Sequence, residues 1–191
     1  MLRQGIRKGL LSKVGNDLDY WISRSPAERL ASLGTLRERY AWLKGMELQQ
    51  DFNDFVILLN KHGVAYLIVG GFAVAAHGYP RFTGDIDFWV KVDLENARRV
   101  VAALQEFGFA GPDISEADFL KPSYVVQLGY PPNRIDILTR VTGLEFDECW
   151  QLRETVEVAG TPLHFLSLAH LKLNKKLVGR KKDELDLDNL P

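Results

Sequence analysis

The chain has 191 residues, 46% of them apolar and 26% charged, which fits one folded domain with a small appendage and excludes wholesale disorder, a collagen-like repeat and a disulfide scaffold. Its 24 Lys and Arg nearly balance 25 Asp and Glu, so no global basic field surrounds it and any nucleic-acid contact must be local. The lone cysteine, Cys149, leaves no partner for an intrachain disulfide or a Cys-built zinc site, and fits a cytoplasmic location.

Residues 1–15 scatter Arg3, Arg7, Lys8 and Lys13 without an apolar core of signal-peptide length. Ser25-Pro26-Ala27-Glu28 joins a cap, a proline at the first helical position and a glutamate three residues after the cap, which predicts a helix over 26–43. An N-terminal helical arm is therefore expected over 1–45, outside a domain at 46–191. Its Tyr20, Trp21, Tyr40 and Trp42 are read as helix packing. A second helix over 48–61 would bury Phe52, Phe55, Val56 and Leu59 and stop at Gly63. VAYLIV, 64–69, reads as a buried strand, followed by a Gly70-Gly71 turn and a short helix over 72–77. The uncharged stretch 63–80 is broken by those glycines, unlike a membrane span of roughly 20 predominantly apolar residues, so no membrane partner is expected.

DIDFWVKV, 85–92, reads as the next strand, and a helix over 95–107 lies between a cap at Asp93 and a stop at Gly108. Strands are expected at 124–128 and 134–139, a helix at 146–152, β-like pieces at 155–158 and 163–165, and a last helical stretch after Ser167. Strands and helices interleave, which predicts an α/β (α+β) fold with a single mixed β-sheet flanked by helices.

Asp85-Ile86-Asp87 carries the chemistry. Side chains two apart on a strand share a face, so Ile86 and Phe88 point one way and both carboxylates the other. Two acids held that close repel each other and favour a cation between them. Arg134-Ile135-Asp136-Ile137 repeats the pattern, and if the two strands are neighbours Asp136 becomes a third ligand. Three convergent carboxylates suit two Mg²⁺ or Mn²⁺ ions and in-line attack at phosphorus. An isolated Asp-x-Asp is usually a solvated strand edge; here it follows, after a gap of 13 residues, a Gly70-Gly71 turn of the kind that exposes backbone amides to phosphate.

Val69-Gly70-Gly71, Asp85-Ile86-Asp87-Phe88 and Ile135-Asp136-Ile137 together resemble the nucleotidyltransferase signature of the DNA polymerase beta superfamily. GGFAVAAHGYPRFTGDID is similar, more narrowly, to the small bacterial nucleotidyltransferases of the abortive-infection, toxin–antitoxin type. The likeness spans about 48–186, with His170 departing from it. It implies a nucleotidyltransferase fold in which Asp85, Asp87 and Asp136 are catalytic and bind the two metal ions, and Gly70, Gly71 and Lys175 contact the nucleotide. Its reaction would move a nucleoside monophosphate from an NTP to a hydroxyl of RNA, such as a tRNA 3′ end, or of protein, with a cognate antitoxin as a further partner.

Arg81 and Thr83 are added to the nucleotide-binding set by position, Arg81 as a planar phosphate clamp or as the partner of a neighbouring acid. His77 is read as a helix-ending histidine bonded to backbone. Residues 172–182 hold six basic residues in eleven, with Lys172, Lys175 and Lys176 on one helical face, a pattern that is either solvated or set against an anionic partner. Two alternatives stay open: a non-catalytic nucleotide-binding or regulatory module on the same fold, and a structural protein whose acids pair with Arg81 and Arg134.

Overall fold

A computed structural model describes residues 5–10, 50–79, 81, 83–109, 113–130, 133–158 and 160–191. The described elements run β1 (Ile6–Leu10), α1 (Gln50–Lys61), β2 (Tyr66–Val69), α2 (Gly70–Ala76), β3 (Asp85–Val90), α3 (Leu94–Phe107), α4 (Glu116–Leu120), β4 (Tyr124–Leu128), β5 (Arg134–Leu138), α5 (Phe146–Gln151), β6 (Glu154–Val158), β7 (Thr161–Phe165), α6 (Leu168–Val178) and α7 (Lys181–Asn189). The seven strands form one mixed sheet in the order β1-β4-β5-β3-β2-β7-β6, flanked by helices as expected. No helix among the described residues is long and apolar enough to cross a membrane.

Strand alternation fixes the sheet's two faces. Ile86 and Phe88 of β3 are fully buried, and Phe88 meets Phe55 of α1 at 5.4 Å and Tyr66 of β2 at 5.6 Å. Helix α1 reaches that face because Phe52, Phe55, Val56 and Leu59 recur at helical spacing, and it ends before Gly63, whose φ of 65° is left-handed. Helix α3 packs beside it between a side-chain cap, where Asp93 accepts from the Asn96 amide at 2.7 Å, and left-handed Gly108. The other face of β3 carries Asp85, Asp87 and Trp89, and Trp89 meets Phe146 of α5 edge-on at 5.1 Å.

The described elements depart in places from the sequence-based expectations. Ile6–Leu10 lies within the expected helical arm, yet it pairs antiparallel with β4 as an edge strand, and Lys8 adds an ion pair to buried Asp118 at 2.8 Å. The helix expected over 26–43 and the aromatics Tyr20, Trp21, Tyr40 and Trp42 fall outside the described residues. The last helical stretch is two helices, because left-handed Gly179 ends α6 and α7 restarts at Lys181. Short α4, opened by a capping box between Ser115 and Asp118, had no counterpart among the expected elements.

Candidate active site

Register brings the acids together. Antiparallel β2 sets Val69 opposite Asp87, and parallel β5 sets Asp136 opposite Asp87 and Arg134 opposite Asp85. The carboxylates of Asp85, Asp87 and Asp136 offer oxygens that all lie within 4.8 Å of one another. They stand on the wall of a cavity of about 440 Å³ that Gly70, Gly71, Arg81, Thr83 and Lys175 also line, so all eight sequence-derived residues share one site.

The glycine pair is there for space. Gly70 opens α2 with φ of 63°, and a Cβ on it would overlap Asp87 Oδ2 and lie 2.9 Å from Asp87 Cγ. A Cβ on Gly71 would come within 2.7 Å of Thr83. The pair forms the first two residues of α2 rather than a separate turn ahead of it. His77 closes that helix and bonds through Nε2 to the Leu166 carbonyl oxygen at 2.8 Å, a backbone contact as expected.

The hydrogen bonds within the cluster are uneven. Arg134 donates from Nε to Asp136 Oδ1 at 2.6 Å, and from Nη2 to Asp136 Oδ2 at 2.8 Å and Asp85 Oδ2 at 2.6 Å. Thr83 Oγ1 donates to Asp85 Oδ1 at 2.8 Å, and Gln127 Nε2 to Asp136 Oδ2 at 3.0 Å. Asp87 has no hydrogen-bond or ion-pair partner among the described residues. Desolvation, then the charges of Asp85 and Asp136, push its carboxyl well above the ordinary range, against the pull of Arg134 and Lys182. Burial likewise pushes Asp136 up to about 6, opposed by Arg134 and Gln127. Gln127 is itself buried, and its Oε1 has no partner although Nε2 is fixed on Asp136.

Behind the opposite wall stands a second charge network. Lys175, 2% exposed, places its ammonium 2.9 Å from Asp183 and 2.8 Å from Asp186, both fully buried. Asp186 also takes a bidentate pair from Arg81, and Asp183 takes Arg180 Nε at 2.7 Å. Burial raises the Asp183 carboxyl, but Arg180 and Lys175 outweigh it and hold it down at about 2. Arg81 thus has the acid partner that sequence left as its alternative role, and Lys175 faces two carboxylates as well as the cavity. Lys172, Lys175 and Lys176 do fall at i, i+3 and i+4 on α6, but they differ in burial: Lys175 is buried, Lys172 half-buried and Lys176 exposed. Lys182 lines the cavity with no partner among the described residues, its ammonium held below the ordinary lysine range by partial desolvation and by Arg180.

Sequence reasoning gave Arg134 only a structural role, counted Lys182 only as part of the basic run, assigned Asp183 no role, and passed over Gln127 and Asp186. Arg134 had a readable signal, two residues before Asp136 and therefore on the same strand face. Gln127 needed the β4–β5 pairing that sets it opposite Asp136.

No protein-family profile and no curated protein matches the chain. Among solved structures it is similar to a candidate nucleotidyltransferase from Thermotoga maritima, at 18% identity and TM-score 0.47 over 72% of this chain and 88% of that one. An antigenic nucleotidyltransferase-like protein from Paracoccidioides brasiliensis aligns at 19% identity and TM-score 0.49, over 73% of this chain and 72% of that one. ANT(2")-Ia, in complex with adenylyl-2"-tobramycin, aligns at 15% identity and TM-score 0.38, over 72% and 92%. All three pair at TM-scores below 0.5, so the functional case comes from the site's own residues.

Proposed function

We propose that the chain is a metal-dependent nucleotidyltransferase that moves a nucleoside monophosphate from an NTP to a hydroxyl of an RNA, such as a tRNA 3′ end, or of a protein. The observation that carries this reading is the convergence of Asp85, Asp87 and Asp136 within 4.8 Å in a cavity of about 440 Å³ beside Gly70 and Gly71. The residues fit a hard divalent cation: the donors are all carboxylate oxygens, and among the described residues Asp87 has no partner and the buried Gln127 Oε1 acceptor has no donor. Asp85, Asp87 and Asp136 would hold two Mg²⁺ or Mn²⁺ ions. When bound, such ions neutralise phosphate charge and polarise the attacking oxygen.

The remaining chemistry falls to the chain's own groups. Gly70 and Gly71, lacking Cβ atoms, leave room for a phosphate chain beside Asp87 and Thr83. Arg81, held by Asp186, and Lys182, without a partner among the described residues, offer positive charge to it, while Lys175 steadies the two aspartates behind Arg81 and Arg180. The hydroxyl oxygen attacks the α-phosphorus, the new ester bond forms, and the bond to the β-phosphate breaks with its electron pair leaving on pyrophosphate. Asp136, a buried carboxylate on the cavity wall, accepts the hydroxyl proton.

The test is incubation of the protein with each of the four α-³²P-labelled NTPs, Mg²⁺, and total tRNA or cell protein, beside an Asp136→Ala control. Label on one acceptor class, lost in the control, supports the reading; no label with any NTP refutes it. The further step, a cytoplasmic toxin neutralised by an antitoxin, predicts that induced expression arrests a bacterial host and that Asp136→Ala does not.

A further inference from the structure

Arg134 sits where a cation would. Its side chain is 5% exposed, and its guanidinium touches both oxygens of Asp136 and one of Asp85 at 2.6–2.8 Å. With Thr83 on Asp85 Oδ1, four of the six carboxylate oxygens already accept a hydrogen bond, and among the described residues those of Asp87 meet no donor. A divalent ion arriving alone can take the Asp87 oxygens freely. To reach Asp136 or Asp85 it must share them with a positive charge a few ångströms away, in surroundings that screen charge poorly. Displacing the guanidinium is no easier, because a buried cation stripped of its carboxylates loses the partners that keep it there.

A phosphate chain changes that balance. Its oxygens match the planar guanidinium fork as carboxylates do, so Arg134 can exchange one anion for another without being left unpaired. The cavity that Arg134 lines is open to such a ligand, and Lys182 and Arg180 line it as well. On the strength of the metal-dependent reading above, we infer that Arg134 is a positioning residue that makes the carboxylate cluster take its cation together with a triphosphate rather than as a free ion. The residue does two jobs in sequence: it holds Asp85 and Asp136 together, then moves onto the phosphates as the ion takes its place.

The test titrates Mn²⁺ into the full chain by calorimetry, with and without inorganic tripolyphosphate, a probe that carries the phosphate chain and no base. Arg134→Met and Arg134→Gln should bind free Mn²⁺ roughly tenfold tighter or more, because a repelling charge has gone. The same variants should bind Mn²⁺–tripolyphosphate more weakly than the parent. Arg134→Lys, which keeps the charge, should stay within about threefold of the parent for free Mn²⁺. Circular dichroism identifies the neutral variant that folds, and either one suffices. Neutral variants that bind free Mn²⁺ no better than the parent overturn the inference, because Arg134 is then only a strut for the carboxylates. Absence of Mn²⁺ binding in the parent and the variants, with or without tripolyphosphate, overturns the metal-dependent reading itself.

Discussion

Alanine at position 70 should damage the backbone and the carboxylate cluster at once, and the two effects separate cleanly. Gly70 has φ of 63°, a left-handed conformation that costs an L-residue with a Cβ roughly 1–2 kcal/mol. A domain of this size loses about 2–4 °C of Tm per kcal/mol, so the backbone alone predicts a fall of about 2–8 °C. The new methyl group would also overlap Asp87 Oδ2 and lie 2.9 Å from its Cγ, which forces the carboxylate off its present direction. The Asp87 Cβ, at 3.4 Å, is ordinary van der Waals contact and need not move. In an Asp87→Ala background, therefore, Gly70→Ala should cost only the backbone part, leaving a coupling of roughly 1 kcal/mol or more between the positions. Urea denaturation of the parent, both single variants and the double variant measures that coupling. Equal destabilisation by Gly70→Ala in both backgrounds would refute the claim that the glycine exists to make room for Asp87.

Asp87→Asn removes a carboxylate that is desolvated, repelled by Asp85 and Asp136 and bonded to nothing among the described residues. It should leave Tm at pH 7 no lower than the parent's while cutting nucleotidyl transfer by at least ~100-fold, read by calorimetry and label incorporation. Lys175→Met should cost about 3–5 kcal/mol in urea denaturation, because Asp183 and Asp186 would lose their shared buried partner. Lys182→Met should change stability by less than about 0.5 kcal/mol but raise the KM for NTP, and the reverse pattern would exchange their roles. Acid should loosen the α6–α7 pair: the Asp183 carboxyl is held down at about 2 by Arg180 and Lys175 against its burial. Its stabilising effect is thus present above about pH 4 and lost as pH falls toward 2, a slope in far-ultraviolet circular dichroism that Asp183→Asn should flatten.

What sequence revealed of the site follows from periodicity. Asp85-Ile86-Asp87-Phe88 and Ile135-Asp136-Ile137 alternate at period two, so the side of each strand that bears acids was readable without knowing what lay next to it. The adjacency of β3 and β5, and the register that sets Asp136 opposite Asp87, belongs to the sheet as a whole and has no local sign. Ile6–Leu10 was hidden for a different reason. IRKGL neither alternates nor runs apolar, because it is an edge strand held by backbone pairing and the Lys8–Asp118 contact.

The basic run at 172–182 shows how charge can be legible while its purpose is not. Counting six cations in eleven residues invites a single anionic partner, yet the chain itself supplies Asp183 and Asp186 just beyond the run. Gly179, left-handed and readable as a stop, breaks the helix so that α7 folds those two acids back against Lys175. Arg81, distant in sequence, then shares Asp186, and Arg180 shares Asp183. The run therefore divides by what each residue meets: Lys175 bound within the protein, Arg180 bound to Asp183 and still lining the cavity, Lys182 lining the same space with no partner among the described residues. On the other wall Arg134 is tied to acids in the same way, so the cations of this cavity are mostly arranged by carboxylates that the folded chain provides. A ligand that enters must therefore compete for charge already partnered, and one carrying both a metal ion and a phosphate chain satisfies the acids and the released cations together.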